Sequence, residues 1–88
     1  MRIFHSASFR RDFFSLPKDI RVLADKKLTI FGDNPRHPSL RTKKMEGIKN
    51  IWEGRITDAY RFTFSVEHNV AILRRIGTHD ILRKESGR

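Results

Sequence analysis

The chain has no cysteine, so neither a disulfide framework nor a thiolate metal site is open to it, and a reducing compartment is its natural setting. Acidic residues are scarce: ten Asp and Glu stand against nineteen Lys and Arg, a formal charge of +9 on 88 residues. That imbalance on so small a surface produces a strongly positive field and calls for a polyanionic partner. Nucleic acid fits first and an acidic protein second; a membrane surface comes third, because no basic amphipathic helix with a clean apolar face is present. Long apolar runs are missing as well. None approaches the roughly 20 residues that span a bilayer, and the opening MRIFHSASFRRDFF carries charges where a signal peptide keeps an apolar centre. A soluble, cytoplasmic protein with no membrane partner is expected. There is no glycine-rich phosphate loop, no nucleophile elbow and no metal-ligand spacing, since His5, His37, His68 and His79 are scattered. Neither a metal nor a cofactor is expected. No carboxylates pair on a helix face, which excludes glycosidase-like acid and base work.

What is there fits one domain over residues 1–88, with one small core layer between a sheet and one or two helices. Met1 to His5 alternates weakly as a starting or edge strand, with Ile3 inward. Ser6 or Ser8 can cap a first helix. Phe9, Phe13 and Leu16 recur along it at helical spacing, and Pro17 stops it. Pro17 suits the first turn of a second helix, with Ile20, Leu23, Ala24, Leu28 and Phe31 as its stripe and Gly32 and Pro35 as its end. At this spacing Phe9, Phe13, Phe14 and Phe31 belong to the core rather than to a base-stacking platform. Arg10, Arg11, Lys18, Arg21, Lys26 and Lys27 take the opposite faces, either simply solvated or tracking phosphates or an acidic partner.

Asp33 to Asn50, DNPRHPSLRTKKMEGIKN, is a long, polar, proline-containing connector of the kind that is usually functional in a compact domain. Leu40, Met45 and Ile48 pin it, and Arg36, His37, Arg41, Lys43, Lys44 and Lys49 make it the most basic part of the chain. Three strands follow. In Ile51 to Thr57, Trp52, Gly54 and Ile56 share one face and Glu53, Arg55 and Thr57 the other; in the next strand Phe62, Phe64 and Val66 oppose Arg61, Thr63 and Ser65. A turn at Asp58 to Tyr60 that pairs Thr57 with Arg61 keeps the apolar sets together and puts Arg55 diagonal to Arg61, about 7–8 Å away. A second hairpin turns at Glu67 to Asn69 into VAILRRIG, apolar on both faces like a central strand. Pairing Arg61 with Arg75 places Arg75 and His79 on the polar face and Val70, Ile72 and Ile76 towards the helices. Arg74 then points to the core side and needs a partner or a route to solvent, and a bulge is expected near Gly77.

Arg55, Arg61, Arg75 and His79 thus form a cluster of fixed cations with a histidine, the equipment for metal-free RNA cleavage. A base must take the ribose 2′-hydroxyl proton, cations must hold the phosphorane charge, and an acid must protonate the departing 5′-oxygen. Guanidinium groups meet the second need with a bidentate fork. On the residues alone His79 serves equally well as a turn histidine after Gly77.

In these residues the chain resembles the RelE and ParE toxin superfamily over nearly its whole length: strand, two helices, basic loop and three antiparallel strands, an α+β fold. WEGRITDAYRFTF resembles the W-x-x-R-I-T-D-x-x-R segment of YoeB-like members, and HPSL and GTHDIL resemble the H-P-L and G-T-H-x-x-L segments of YafQ-like members. The resemblance implies a type II toxin, an mRNA endoribonuclease that cuts translated mRNA in the ribosomal A site without metal. It also implies a cognate antitoxin that holds the toxin inactive, in a complex that binds operator DNA. Arg61 matches the phosphate-stabilising arginine, Arg55 a neighbouring basic strand position, His79 the catalytic histidine and His37 a second active-site histidine. Lys43 and Lys44, with Arg41, Arg75 and Arg83, would contact RNA. Pro38 stands where YoeB-like members carry a glutamate base, and only a shift in register would bring in Glu46 or Glu53. Trp52 and Gly54 stand where RelE has strand lysines, and Arg83 replaces the aromatic that closes the YafQ-like motif. Two rival functions share the charge: a ParE-like DNA gyrase inhibitor, and a nucleic-acid-binding protein without catalysis. Both leave His79 idle beside its arginines.

Overall fold

The structure, a computed structural model, describes residues 1–85. The chain runs β1 (Arg2–His5), α1 (Ala7–Phe14), α2 (Lys18–Asp33), a 3-10 turn (Pro38–Leu40), β2 (Lys43–Lys44), β3 (Trp52–Arg55), β4 (Tyr60–Glu67), β5 (Val70–Thr78) and α3 (Asp80–Glu85). The five strands make one sheet in the order β1-β5-β4-β3-β2. β3, β4 and β5 form the expected antiparallel meander, while β1 joins the far side of β5 in parallel. The α+β architecture holds; β2 and α3 are elements beyond those anticipated.

Ser6 caps α1 by accepting from the Phe9 amide, and α1, α2 and the link between them lay Phe9, Leu16, Ala24 and Phe31 against one face of the sheet. Phe31 meets Phe62 and Phe64 edge-on, with ring centroids 5.4 and 4.8 Å apart. Such tilted pairs add to simple area burial because the positive edge of one ring meets the negative face of the next. Phe14 does not join them; it is exposed, next in chain to a half-buried Phe13. Pro17 caps α2 from outside rather than filling its first turn, and the helix continues through Gly32 to Asp33.

Two register expectations are corrected. Arg55, not Thr57, pairs with Arg61, so the loop between the last paired residues of the hairpin is two residues longer than anticipated. The apolar faces survive because a shift of two preserves side-chain direction. On the other side Arg61 opposes Gly77, and Arg75 opposes Thr63. The ladder then slips between Thr63 and Phe64, leaving Arg74 as the extra residue of a bulge. The irregularity falls at Arg74, three residues before Gly77, and reverses the facing of the first half of β5. Ala71 and Leu73 enter the core with Ile76, while Val70 and Ile72 stay outside it. Arg74 is consequently exposed instead of pointing into the core.

Candidate active site

The face of the sheet turned away from α1 and α2 carries two aligned rows. Lys43, Glu53, Thr63 and Arg75 sit side by side on β2, β3, β4 and β5, and Arg55, Arg61 and Gly77 occupy the next register positions on β3, β4 and β5. Neighbours in a row are about 5 Å apart, since that is the strand spacing. His79 follows Thr78, the last residue of β5, which pairs with Tyr60; it therefore lies at the same end of the sheet as Arg55 and Arg61. It is exposed, and its carbonyl accepts from the Leu82 amide to start α3. Gly77 leaves room for that helix: a Cβ there would approach Ile81 Cγ2 to 3.1 Å. Ile81 packs down on this face, and Glu85 at the far end of α3 binds Thr63 and Arg74.

Each arginine on this face is tied to a carboxylate. Arg61 donates from Nη1 to Glu53 Oε1 at 3.0 Å, and its Nε and Nη2 both hold the Asp58 carbonyl. Arg55 Nη1 donates to Asp58 Oδ1 at 2.9 Å, and its buried Nε–H meets no acceptor among the described residues. Arg75 reaches across the sheet edge to Asp12 of α1 through Nε and Nη2, at 2.6 and 3.1 Å. The hydrogen bond to Asp12 raises the Arg75 pKa above the ordinary arginine value; burial opposes this, and the Asp12 and Glu85 charges assist it. Lys43 Nζ stands 3.9 Å from Glu53 Oε2.

Arg55 and Arg61 are thus set side by side, and His79 lies at the same end of the sheet. Arg75 lies on the same face, opposite Thr63 rather than Arg61, and is held by Asp12. Arg83 lies on α3, exposed and bound to Asp80. Lys43 and Lys44 form edge strand β2, and Arg41 ends the 3-10 turn in a left-handed conformation, φ 47°. His37 is the cap of that turn; its Nδ1 accepts from the Ser39 amide, and it makes no hydrogen bond to Arg55, Arg61 or His79. In neutral form this imidazole therefore carries its proton on Nε2. Among the described residues no group of three or more His, Cys, Asp or Glu could hold a metal ion.

Trp52 and Gly54, matched in sequence to RelE's strand lysines, face the core, so the β3 residues that face the site are Glu53 and Arg55. Glu53 is the carboxylate at the centre of the site. Its alternation with Trp52 and Gly54 marked its direction in the sequence; nothing local marked Asp12, Asp58 or Glu85 as partners.

A parallel first strand, a helical pair over one face and an antiparallel meander with a basic outer face define the RelE/ParE toxin fold. No protein family matches the sequence by itself, and no curated protein matches it. Among solved structures, the chain is similar to YafQ from E. coli strain BL21(DE3), with 16% identity and a TM-score of 0.75 over 93% of this chain and 98% of that one. It is similar to the RelB-RelE antitoxin-toxin complex from Methanococcus jannaschii, with 20% identity and a TM-score of 0.75 over 91% and 94% of the two chains. A YoeB/ParE toxin from Agrobacterium tumefaciens aligns with 15% identity and a TM-score of 0.75 over 90% and 99%.

Proposed function

We propose that the chain is the toxin of a type II toxin-antitoxin system and a metal-independent endoribonuclease that cuts translated mRNA in the ribosomal A site. The observation that carries this reading is the direct opposition of Arg55 and Arg61 on β3 and β4, at the end of the sheet where His79 emerges. Arg61 stabilises the charge that gathers on phosphorus, and Arg55 supports it from the adjacent strand. His79 exchanges the protons, as acid or base. His37 complements it as a donor through Nε2–H once RNA bridges the two. The 2′-oxygen attacks phosphorus, its proton goes to the base, and the 5′-oxygen departs with a proton from the acid, leaving a 2′,3′-cyclic phosphate. Lys43, Lys44 and Arg41, exposed along the basic connector, grip the RNA strand. Arg75 and Arg83 contact it only by giving up Asp12 and Asp80.

A cognate antitoxin is the second partner. Phe4, Phe14 and Val22 are exposed among the cations of β1, α1 and α2, a surface suited to an acidic chain with an apolar face. The complex binds operator DNA in this reading.

The test is expression with primer extension on cellular mRNA. The wild type should arrest growth and create new mRNA 5′ ends near start codons; His79→Ala and Arg61→Ala should each abolish both. One observation favours a second reading: both site arginines are neutralised by internal carboxylates, an arrangement a ParE-like DNA gyrase inhibitor tolerates because it performs no phosphate chemistry. Persistent toxicity with altered DNA supercoiling and intact mRNA would establish that reading instead.

A further inference from the structure

Glu53 is held where an anionic substrate should lie. Its side chain is only 10% exposed, and it accepts from Arg61 Nη1 at 3.0 Å with Lys43 Nζ at 3.9 Å on its other oxygen. Arg61 is 12% exposed, and the Asp58 carbonyl occupies its Nε and Nη2, so its plane is fixed and Nη1 is aimed at Glu53. Lys43, Arg55 and Arg61 face two carboxylates, Glu53 and Asp58, and Asp58 is almost fully exposed. The pocket of charge is therefore one anion short, with the Arg55 Nε–H unfilled among the described residues. Carboxylates and phosphodiesters offer oxygen acceptors of the same kind to a guanidinium edge.

We propose that Glu53 is an internal occupant of the phosphate seat, and that single-stranded RNA enters by exchange. The carboxylate swings out, and one phosphodiester takes the Arg61 Nη1–H and the Lys43 ammonium. Exchange is the feasible route because a buried guanidinium left with no anion is heavily penalised, whereas one anion replacing another keeps it compensated. Glu53 carries its charge to solvent at the sheet edge, where β2 is only two residues long. The seat stays closed to weak monoanions and opens to a polyanion whose neighbouring phosphates are already held by the connector lysines. This deepens the nuclease reading above and rests on it for the identity of the ligand.

The experiment uses the whole chain and a short single-stranded RNA with 2′-O-methyl riboses, which cannot be cut by 2′-hydroxyl attack. Glu53→Gln should bind it about tenfold more tightly than the wild type, the size of one charge-assisted hydrogen bond released from an internal competitor. Equal or weaker binding, or none by either chain, overturns the proposal. Because Glu53→Gln can also loosen the fold, the wild type is titrated with the same RNA and its arginine side-chain nitrogens are followed by 15N NMR. The Arg61 resonances should move while those of Arg75, held by Asp12, stay; an unmoved Arg61 at saturation overturns the exchange. Tighter binding by Glu53→Gln without any mRNA cleavage by the wild type would sink the nuclease and keep the seat. Cleavage with unchanged binding would do the reverse.

Discussion

Asp12 shows how far a single side chain can serve both fold and site. Its two oxygens accept from Arg75 Nε and Nη2 and from the Ile76 amide, the last at 3.2 Å. β1 ends at His5, opposite Leu73, so the rest of the β5 edge would be bare; α1 covers it, and Asp12 fills the amide that β1 no longer reaches. The raised pKa of Arg75 means that the guanidinium's share of this stability, which rests on the Asp12 carboxylate, is present below the ordinary arginine value and is lost as pH climbs through the still higher folded value. Removing the carboxylate strands both a partly buried guanidinium and a backbone donor. Asp12→Ala should therefore lower stability by about 2–3 kcal/mol. Urea unfolding should show an earlier midpoint with unchanged slope, and a change below about 0.5 kcal/mol would mean that water replaces the carboxylate.

The elements were legible to different degrees, for physical reasons. Helix stripes and strand faces follow from periods of 3.6 and 2, so Phe9, Phe31, Phe62 and Phe64 were found in the core, with Arg55 and Arg61 on the opposite face. A hairpin shifted by two residues keeps those faces, so hydrophobicity cannot choose between Thr57 and Arg55 as the partner of Arg61. The turn decides it: the Thr57 hydroxyl accepts from the Ala59 and Tyr60 amides, committing Thr57 to the loop. β5 hid its bulge because Val70 to Leu73 is apolar on both faces and shows no alternation to interrupt. Gly54 illustrates a constraint that becomes visible only with the register. A Cβ there would lie 2.3 Å from the Phe62 ring, which is fully buried and stacked on Phe64. Gly54→Ala should cost about 1–3 kcal/mol through overpacking, read as a lower melting temperature. A neutral outcome would require Phe62 to have a second place to go.

Across the whole molecule the negative charges are not spread as composition would suggest. Asp12, Glu53, Asp58 and Glu85 gather at the arginines of the sheet, pairing residues as far apart in sequence as Asp12 and Arg75, which no local spacing could reveal. The excess positive charge is thereby moved off the outer face of the sheet and onto the connector, where Arg36, Arg41, Lys44 and Lys49 are exposed against two acidic residues, Asp33 and Glu46. If RNA is held chiefly there, affinity and chemistry reside in different residues. Each phosphate neutralised on a single strand contributes about 0.7 to the slope of log affinity against log salt. Replacing Lys44 and Lys49 together by alanine should therefore weaken binding of a 2′-O-methyl RNA and flatten that slope by about 1.4, two contacts' worth. His79→Ala, which leaves every lysine and arginine of the connector in place, should keep the slope within about 0.3 of the wild type while cleavage is lost. The opposite pattern, a slope set by the outer face of the sheet and indifferent to the connector, would place the RNA grip among the paired arginines and require several of their carboxylates to be displaced at once.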